Sequence, residues 1–353
     1  MDKSSQRDLL HVPQEWSIAQ QRQALEAALR GDGPALTWNA SDLTHVPAEC
    51  AVVVATSGST GNPKYVALPA TALIASARAS HSYLQAEAGD RWSLLLPTTH
   101  IAGINVLVRS IELGSEIVSV DSTADFTAIV PTQLHRALNG DAALLAHLKS
   151  AKAVLVGGAA TSAALRTSAS SAGINLVTTY GMSEMSGGCV YNGTPLVGVD
   201  IRIVEGRIEL NGPMKAIGYL GNEPFGDKYF ITQDAGAMID GHLVVTGRID
   251  DQIVTGGEKL SLGAVSDFLD GISEANGSAQ RYIAVGLPDA EWGQALAIAS
   301  DGLIDEVMVR EQLRSQFGNH ASPKRFLSNI ELPLTSIAKP DRAKLVQIFG
   351  RLA

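Results

Sequence analysis

Cysteine is nearly missing from this sequence: Cys50 and Cys189 are the only two in 353 residues. They are too few and too isolated for a disulfide framework or a zinc site, so a reducing compartment is expected. Basic residues do not predominate either, since 27 Lys and Arg face 36 Asp and Glu for a formal net charge of -9. They are scattered, and no basic stripe is available to neutralise a phosphate backbone, which argues against nucleic acid as a partner. No apolar run approaches the roughly 20 residues that span a bilayer, and the opening MDKSSQRDLL lacks the apolar core of a signal peptide. A soluble cytoplasmic chain with no membrane insertion is expected, with a homo-oligomer left open. Internal repeats, low-complexity tracts and Pro/Ser-rich linkers are absent as well.

What is present is enough apolar residue, 45%, to bury a substantial core, in a chain more than twice the usual single-domain size. Ser17 to Leu29 reads as an amphipathic helix closed by Gly31-Asp32-Gly33-Pro34, and residues 1 to 50 look like a structural preface. From Ala51 short apolar runs alternate with helical patterns: AVVVAT then Ala70 to Leu84, SLLLP then Ile104 to Leu113, AVLVGGA then Ser162 to Ala172, and NLVTTYG. That rhythm predicts mainly parallel strands covered by helices, with ligands at the strands' carboxyl ends. After about residue 190, DIRIVEGRIEL and HLVVTGRI alternate between Gly-rich turns and predict a β-rich subdomain of hairpins. Beyond Arg248 a helix near Leu262 to Leu269, strands at Tyr282 to Gly286 and Ala295 to Ala299, and helices at Ile304 to Phe317 and Arg342 to Arg351 suffice for a small α+β domain. The expected fold is α/β, with a large domain over 1–248 and a small one over 249–353.

The strongest local signal is Thr56-Ser57-Gly58-Ser59-Thr60-Gly61-Asn62-Pro63-Lys64, directly after the apolar AVVVA. Small hydroxyl and glycine residues let backbone amides approach phosphate oxygens, and Lys64 adds charge. A P-loop is excluded, because Pro63 takes the place of its second glycine and Tyr65 follows the lysine. The bland alternative is a Ser/Gly surface turn.

This loop resembles the hallmark T-S-G-[ST]-T-G-x-P-K of the adenylate-forming superfamily of acyl-CoA synthetases, adenylation domains and luciferases, and the superfamily's other motifs follow in order. Tyr180-Gly181-Met182-Ser183-Glu184 resembles the block whose aromatic stacks on adenine and whose glutamate helps hold magnesium; Gly157-Gly158-Ala159 resembles the turn on the adenine's other side. Gly206 to Leu210, Gly212-Pro213 and Gly218-Tyr219 resemble a further block, with Arg207 replacing an acidic residue. Thr232-Gln233-Asp234 resembles T-G-D, which implies that Asp234 accepts the ribose hydroxyls; Gln233 departs from the pattern. Gly247 to Ile253 and Gly256-Gly257-Glu258-Lys259 resemble the hinge block, implying that Arg248 also reaches the ribose, that Asp250 is the pivot of a mobile C-terminal domain, and that the Gly256 to Lys259 loop approaches pantetheine. Leu332 to Thr335, Lys339 and Asp341-Arg342 resemble the block of the catalytic lysine, with Ala338 where glycine is usual. The chemistry agrees: a carboxylate attacking the α-phosphate of ATP needs Mg²⁺, lysine charge and backbone donors where negative charge builds up. Taken singly, Glu184 reads equally as a helix-start carboxylate, Asp234 as a turn residue and Lys339 as a solvated lysine.

The phosphate loop begins unusually near the amino terminus, and this compact chain resembles the short bacterial o-succinylbenzoate:CoA ligases of menaquinone biosynthesis. Leu96 to Gly103 resembles that family's acyl-site segment, with Thr98-Thr99 departing from it; the resemblance implies that His100 flanks the reacting carboxylate and the thiol tunnel. It also implies that Arg109, nine residues on, holds the substrate's second carboxylate; a bland reading has Arg109 snorkel outward. ATP, Mg²⁺, coenzyme A and a small carboxylic acid are the implied cofactors and partners. Competing readings are another acyl- or aryl-CoA ligase, a free-standing adenylation enzyme loading a carrier protein, and a catalytically silent nucleotide-binding protein.

Overall fold

Ser17 is a strong helix start, and its hydroxyl accepts from Gln20 N while Gln20 Oε1 accepts from Ser17 N, a reciprocal cap worth about 1 kcal/mol. It opens α1 (Ile18–Arg30), which Gly31 closes in the left-handed region at φ 83°. The computed structural model describes residues 6–39, 41–57, 63–278, 280–334 and 340–351. Gly58, Ser59, Thr60, Gly61 and Lys339 lie outside the described residues.

The first sheet runs Gly218–Tyr219, Pro63–Pro69, Cys50–Ser57, Ala35–Thr37, Gln6–His11, His45–Pro47. Residues 6 to 47 therefore supply half of a six-stranded sheet, and "preface" understates them. Strands of three residues are too short to show a period of two, which is why they escape a sequence reading. Arg7 fastens this segment by donating to the Cys50 and Gly33 carbonyls at 3.0 and 2.8 Å. The AVVVAT run pairs parallel with Ala35–Thr37 on one side. On its other side it pairs antiparallel with Pro63–Pro69, so the two strands that flank residues 58–62 are antiparallel neighbours, and the chain enters a helix after the second.

The expected parallel rhythm is plainest in the second sheet, ordered Thr194–Pro195, Gly187–Tyr191, Leu176–Met182, Ala153–Val156, Phe126–Ile129, Trp92–Ser93, whose last four strands are parallel. Two helices lie between the sheets, α2 (Ala70–Leu84) and α3 (Ile101–Glu112). Ile104, Leu107 and Val108 of α3 pack toward the first sheet and Val106 toward the second. A helix apolar on two faces is buried all round, so its polar residues Asn105, Arg109 and Ser110 are buried too. On the second sheet's far face lie α4 (Pro131–Leu138), α5 (Ala142–Ser150) and α6 (Ala163–Ser171).

Asp200–Val204, Arg207–Asn211, Phe230–Ile239 and His242–Arg248 form an antiparallel third sheet from the two expected hairpins. The fourth sheet holds Glu258–Ser261, Gln252–Thr255, Gly293–Ser300, Tyr282–Asp289 and Arg325–Leu327. Around it lie α7 (Leu262–Ala275), α8 (Glu306–Phe317) and α9 (Arg342–Arg351). Val265, Leu269, Val309 and Leu313 pack on one face, Leu345 and Phe349 on the other. No helix among the described residues is long and apolar enough to cross a membrane.

Candidate active site

Two polar clusters gather at the strand ends. In the first, Thr56 and Lys64 face each other across the Cys50–Ser57/Pro63–Pro69 ladder, with Thr56 Oγ1 donating to Lys64 O at 3.3 Å. Ser57 ends that strand. The Lys64 ammonium lies 5.0 Å from the centre of the Tyr219 ring, and Tyr219 donates its hydroxyl to Glu184 Oε1 at 2.7 Å. Burial, then the bond to Glu184, push the Tyr219 hydroxyl above its usual range, so it stays a donor. The structure thus brings Lys64 and Glu184 together through a tyrosine whose motif the sequence contains but whose role it did not reveal.

Glu184 sits in the short turn Ser183–Met185, which is pinned from three sides. Asn105 of α3 and Ser76 of α2 donate to Ser186 O at 2.7 and 3.2 Å, Ser186 Oγ donates to Met214 O, and Ala216 N donates to Glu184 O. Ser186 is fully buried at φ 54°, a conformation those bonds must hold in place. Just before it, Gly181 lies where the Leu176–Met182 and Gly187–Tyr191 strands nearly touch: a Cβ there would fall 1.9 Å from Gly187 O.

In the second cluster Tyr180 donates to Asp234 Oδ2 at 2.7 Å, and Arg248 Nη1 lies 3.7 Å from Asp234 Oδ1. Asp234 and Arg248 are direct partners in the antiparallel ladder, which explains their meeting. Burial, then the Asp234 carboxylate, push the Tyr180 hydroxyl above the ordinary phenol range. Gln233 is exposed while Thr232 is buried and bonds Ile208 O, so the departure from glycine at 233 points away from this cluster. The turn after Ala153–Val156 carries Gly157, where a Cβ would fall 2.2 Å from Thr179 Oγ1, then Gly158 at φ 82° and the exposed Ala159. Met182 is half-buried at the end of its strand.

His100 is the exposed N-terminal cap position of α3, which starts at Ile101, earlier than the sequence suggests. Gly103 permits this, because a Cβ there would lie 2.3 Å from Pro97 O. The sequence did not flag Asn39: its Oδ1 accepts from Ala55 N at 2.9 Å and its Nδ2 donates to Thr99 O at 3.1 Å, joining the Cys50–Ser57 strand to the His100 turn. Thr98 donates to Gln21 Oε1 of α1 at 3.0 Å, which accounts for one of the two threonines there. Arg109 is buried, against the snorkelling alternative; its Nη2 donates to Tyr191 OH at 3.0 Å and its guanidinium lies 4.9 Å from the Trp92 ring centre.

Gly256 and Gly257, at φ 59° and 84°, turn the chain between Gln252–Thr255 and Glu258–Ser261, and Glu258 and Lys259 are exposed. Trp292 packs on Gly256 and accepts its N–H at 3.2 Å. Asp250 lies in the single turn Ile249–Asp251 that joins the third and fourth sheets. Leu334 pairs with Pro340 across the segment carrying Lys339, and Arg342 Nη1 binds Asp251 Oδ1 at 2.8 Å.

Comparison with known proteins gives this geometry a family. The model of the AMP-binding enzyme family matches residues 4–215. A probable 2-succinylbenzoate–CoA ligase of Mycobacterium tuberculosis is 37% identical over 383 aligned positions, covering 97% of this chain and 98% of that protein. The 2-succinylbenzoate–CoA ligase of Escherichia coli is 28% identical over 336 positions, 86% of this chain and 72% of its own. Among solved structures, E. coli MenE with a bound phenylether-linked analogue of OSB-AMS superposes with a TM-score of 0.67 at 25% identity, covering 90% of this chain and 73% of that one. The o-succinylbenzoate coenzyme A synthetase of Bacillus subtilis in complex with AMP reaches 0.73 at 22% identity, over 87% and 72% of the two chains, a likeness of fold. With its family model spanning more than half of its length and a relative at 37% identity along nearly all of it, this chain belongs to the AMP-binding enzyme family.

Proposed function

We propose that this chain is an ATP-dependent o-succinylbenzoate:CoA ligase acting in menaquinone biosynthesis. The acid's carboxylate attacks the α-phosphate of ATP to give o-succinylbenzoyl-AMP and pyrophosphate, and the CoA thiol then displaces AMP to give the thioester. The observation that carries the reading is the assembly of two clusters from distant parts of one chain: Tyr180, Asp234 and Arg248 suit a nucleoside, and Lys64 with Glu184 suits phosphates. In this reading Tyr180 stacks on adenine opposite Gly157 to Ala159, and Asp234 and Arg248 take the ribose hydroxyls. Gly181, Met182 and Ser183 line the same site, and Thr56 to Lys64 wraps the phosphates. His100 flanks the reacting carboxylate.

One oxygen of Glu184 is taken by Tyr219 and the other has no protein partner among the described residues, a fit for a hard cation held mostly by phosphates and water. Mg²⁺ there would neutralise phosphate charge. Tyr219 would orient that carboxylate. Tyr219→Phe removes a hydrogen bond to a charged group, worth about 1.5–3 kcal/mol, and is expected to slow ATP–pyrophosphate exchange about tenfold. An unchanged exchange rate means that Glu184 is oriented by something else.

Residues 1–248 and 249–353 are read as two domains hinged at Asp250, the second delivering Lys339 for adenylation and the Gly256 to Lys259 turn for thioester formation. Pyrophosphate release with ATP, Mg²⁺ and a panel of o-succinylbenzoate, benzoate and medium-chain fatty acids tests the whole reading. o-Succinylbenzoate is expected to lead. Absence of acid-dependent release leaves a silent nucleotide-binding protein; release without CoA-thioester formation leaves a carrier-loading enzyme. Arg109→Ala is expected to raise KM for o-succinylbenzoate about tenfold to a hundredfold, since a charge-assisted bond to its second carboxylate is lost. Equal impairment with every acid would make Arg109 structural.

A further inference from the structure

Arg109 is a cation with no ion pair among the described residues, placed on a helix buried on every side. Such a charge costs several kcal/mol to bury unless something answers it. Among the described residues it meets a hydroxyl, Tyr191 OH, and the face of an indole, Trp92. Arg109 Nε has no hydrogen-bond partner among the described residues.

It is not alone in this. Three of the five buried side-chain polar atoms without a partner among the described residues are Arg109 Nε, Trp92 Nε1 and His81 Nε2, and they belong to side chains in one neighbourhood. The Arg109 guanidinium lies 4.9 Å from the Trp92 ring centre, and the His81 and Trp92 rings are 6.3 Å apart. The three side chains come from α3, the edge strand Trp92–Ser93 and α2. The carboxylate that acts on His81, Asp90, is already committed to Lys152 Nζ at 2.6 Å. The neighbourhood therefore holds three buried nitrogens without a hydrogen-bond partner among the described residues, and two of them, Arg109 Nε and Trp92 Nε1, can only donate.

A site made of donors takes an acceptor. We infer that His81 and Trp92 act with Arg109 as a receptor for the second, non-reacting carboxylate of a dicarboxylic acid substrate, and so set the preference for such acids over monocarboxylic ones. The inference rests on the acid-ligase reading given above. A carboxylate has about four acceptor positions, enough for a guanidinium N–H, an indole N–H and an imidazole N–H together. Burial, then the Arg109 charge, hold the His81 imidazole down to about 4, so near neutrality it is uncharged. In its Nε2–H tautomer a neutral imidazole donates without adding a second buried cation beside Arg109. Water serving these donors would be displaced by the carboxylate, a better acceptor for a cation.

The test compares two acids that differ only in the group concerned: o-succinylbenzoate and 4-oxo-4-phenylbutanoate, which lacks the ring carboxylate. Pyrophosphate release gives kcat/KM for each, with the wild type, His81→Phe, His81→Asn and Trp92→Phe. The wild type is expected to favour the dicarboxylic acid. His81→Phe, which keeps an aromatic volume and deletes the donor, is expected to lower the ratio of the two kcat/KM values about tenfold, chiefly through KM for o-succinylbenzoate. Trp92→Phe is expected to lower the same ratio, and His81→Asn, whose amide still donates, to keep more of it than His81→Phe. A general loss of folding moves both acids together and leaves the ratio unchanged, so the ratio separates recognition from stability.

A wild-type ratio near one, or a ratio unmoved in both His81→Phe and Trp92→Phe, overturns the inference and assigns the donors to buried water. If the wild type activates neither acid, the ligase reading itself fails and takes the inference with it. Normal preference with unmoved variants leaves that reading standing.

Discussion

Gly181→Ala is expected to lower adenylate formation about a hundredfold and to lower the melting temperature as well. The new Cβ would fall 1.9 Å from Gly187 O and 2.6 Å from Gly188 Cα, backbone atoms that cannot rotate away. The Leu176–Met182 and Gly187–Tyr191 strands must part, and forced overpacking of this kind costs about 1–3 kcal/mol or more. The functional loss follows from position. Tyr180 precedes the glycine, Glu184 follows it in the pinned turn, and both ends of the proposed nucleotide site would shift with the strand. Displacement of positioning groups by about 1 Å can cost a hundredfold in rate. A variant with wild-type pyrophosphate release and an unchanged melting curve would show that the strands have slack here.

Lys339→Ala separates the two half-reactions. Adenylate formation from acid and ATP is expected to fall by about a hundredfold to a thousandfold, the usual cost of removing one group that stabilises charge developing in the transition state. Thioester formation from supplied o-succinylbenzoyl-AMP and CoA is expected to persist, since the thiol attacks the acyl carbon and the α-phosphorus is no longer the reacting centre. The prediction rests on the motif from Leu332 to Arg342, and the segment's base supports it. Leu334 pairs with Pro340, Asp341 N donates to Pro333 O at 2.9 Å, and Arg342 ties the start of α9 to Asp251, beside the proposed pivot. Equal loss in both half-reactions would assign Lys339 a structural part.

Local patterns carried much of this architecture. Helix α2 occupies the span its apolar periodicity predicts, Ala70–Leu84, and α1 begins after the serine that caps it. The parallel strand Ala153–Val156 was visible as an unbroken apolar run, as doubly covered strands are, and Leu176–Met182 through the short run that opens it. The strands of residues 6 to 47 were not visible, because their identity comes from partners far along the chain. The same divide runs through the site. Tyr180, Asp234 and Glu184 could be singled out from motifs, but their pairing could not: Tyr180 meets Asp234 across 54 positions and Tyr219 meets Glu184 across 35. Asn39 had no motif at all, and only the approach of two strand ends reveals it. His81 and Trp92 carry no motif either, and only the fold sets them beside a buried guanidinium.

The two bonds of Asn39 have a practical side for redesign. One amide group sets the spacing between the Cys50–Ser57 strand and the Thr99 turn, and it belongs to neither. A library that varies α3 and the residues of the proposed acid site would leave this spacer untouched, so new acids could be sampled without disturbing the gap across which, in the proposed reaction, nucleophile and phosphate meet. Shortening the amino-terminal segment would do the opposite: every residue of that site would remain, but the gauge that sets their separation would be lost.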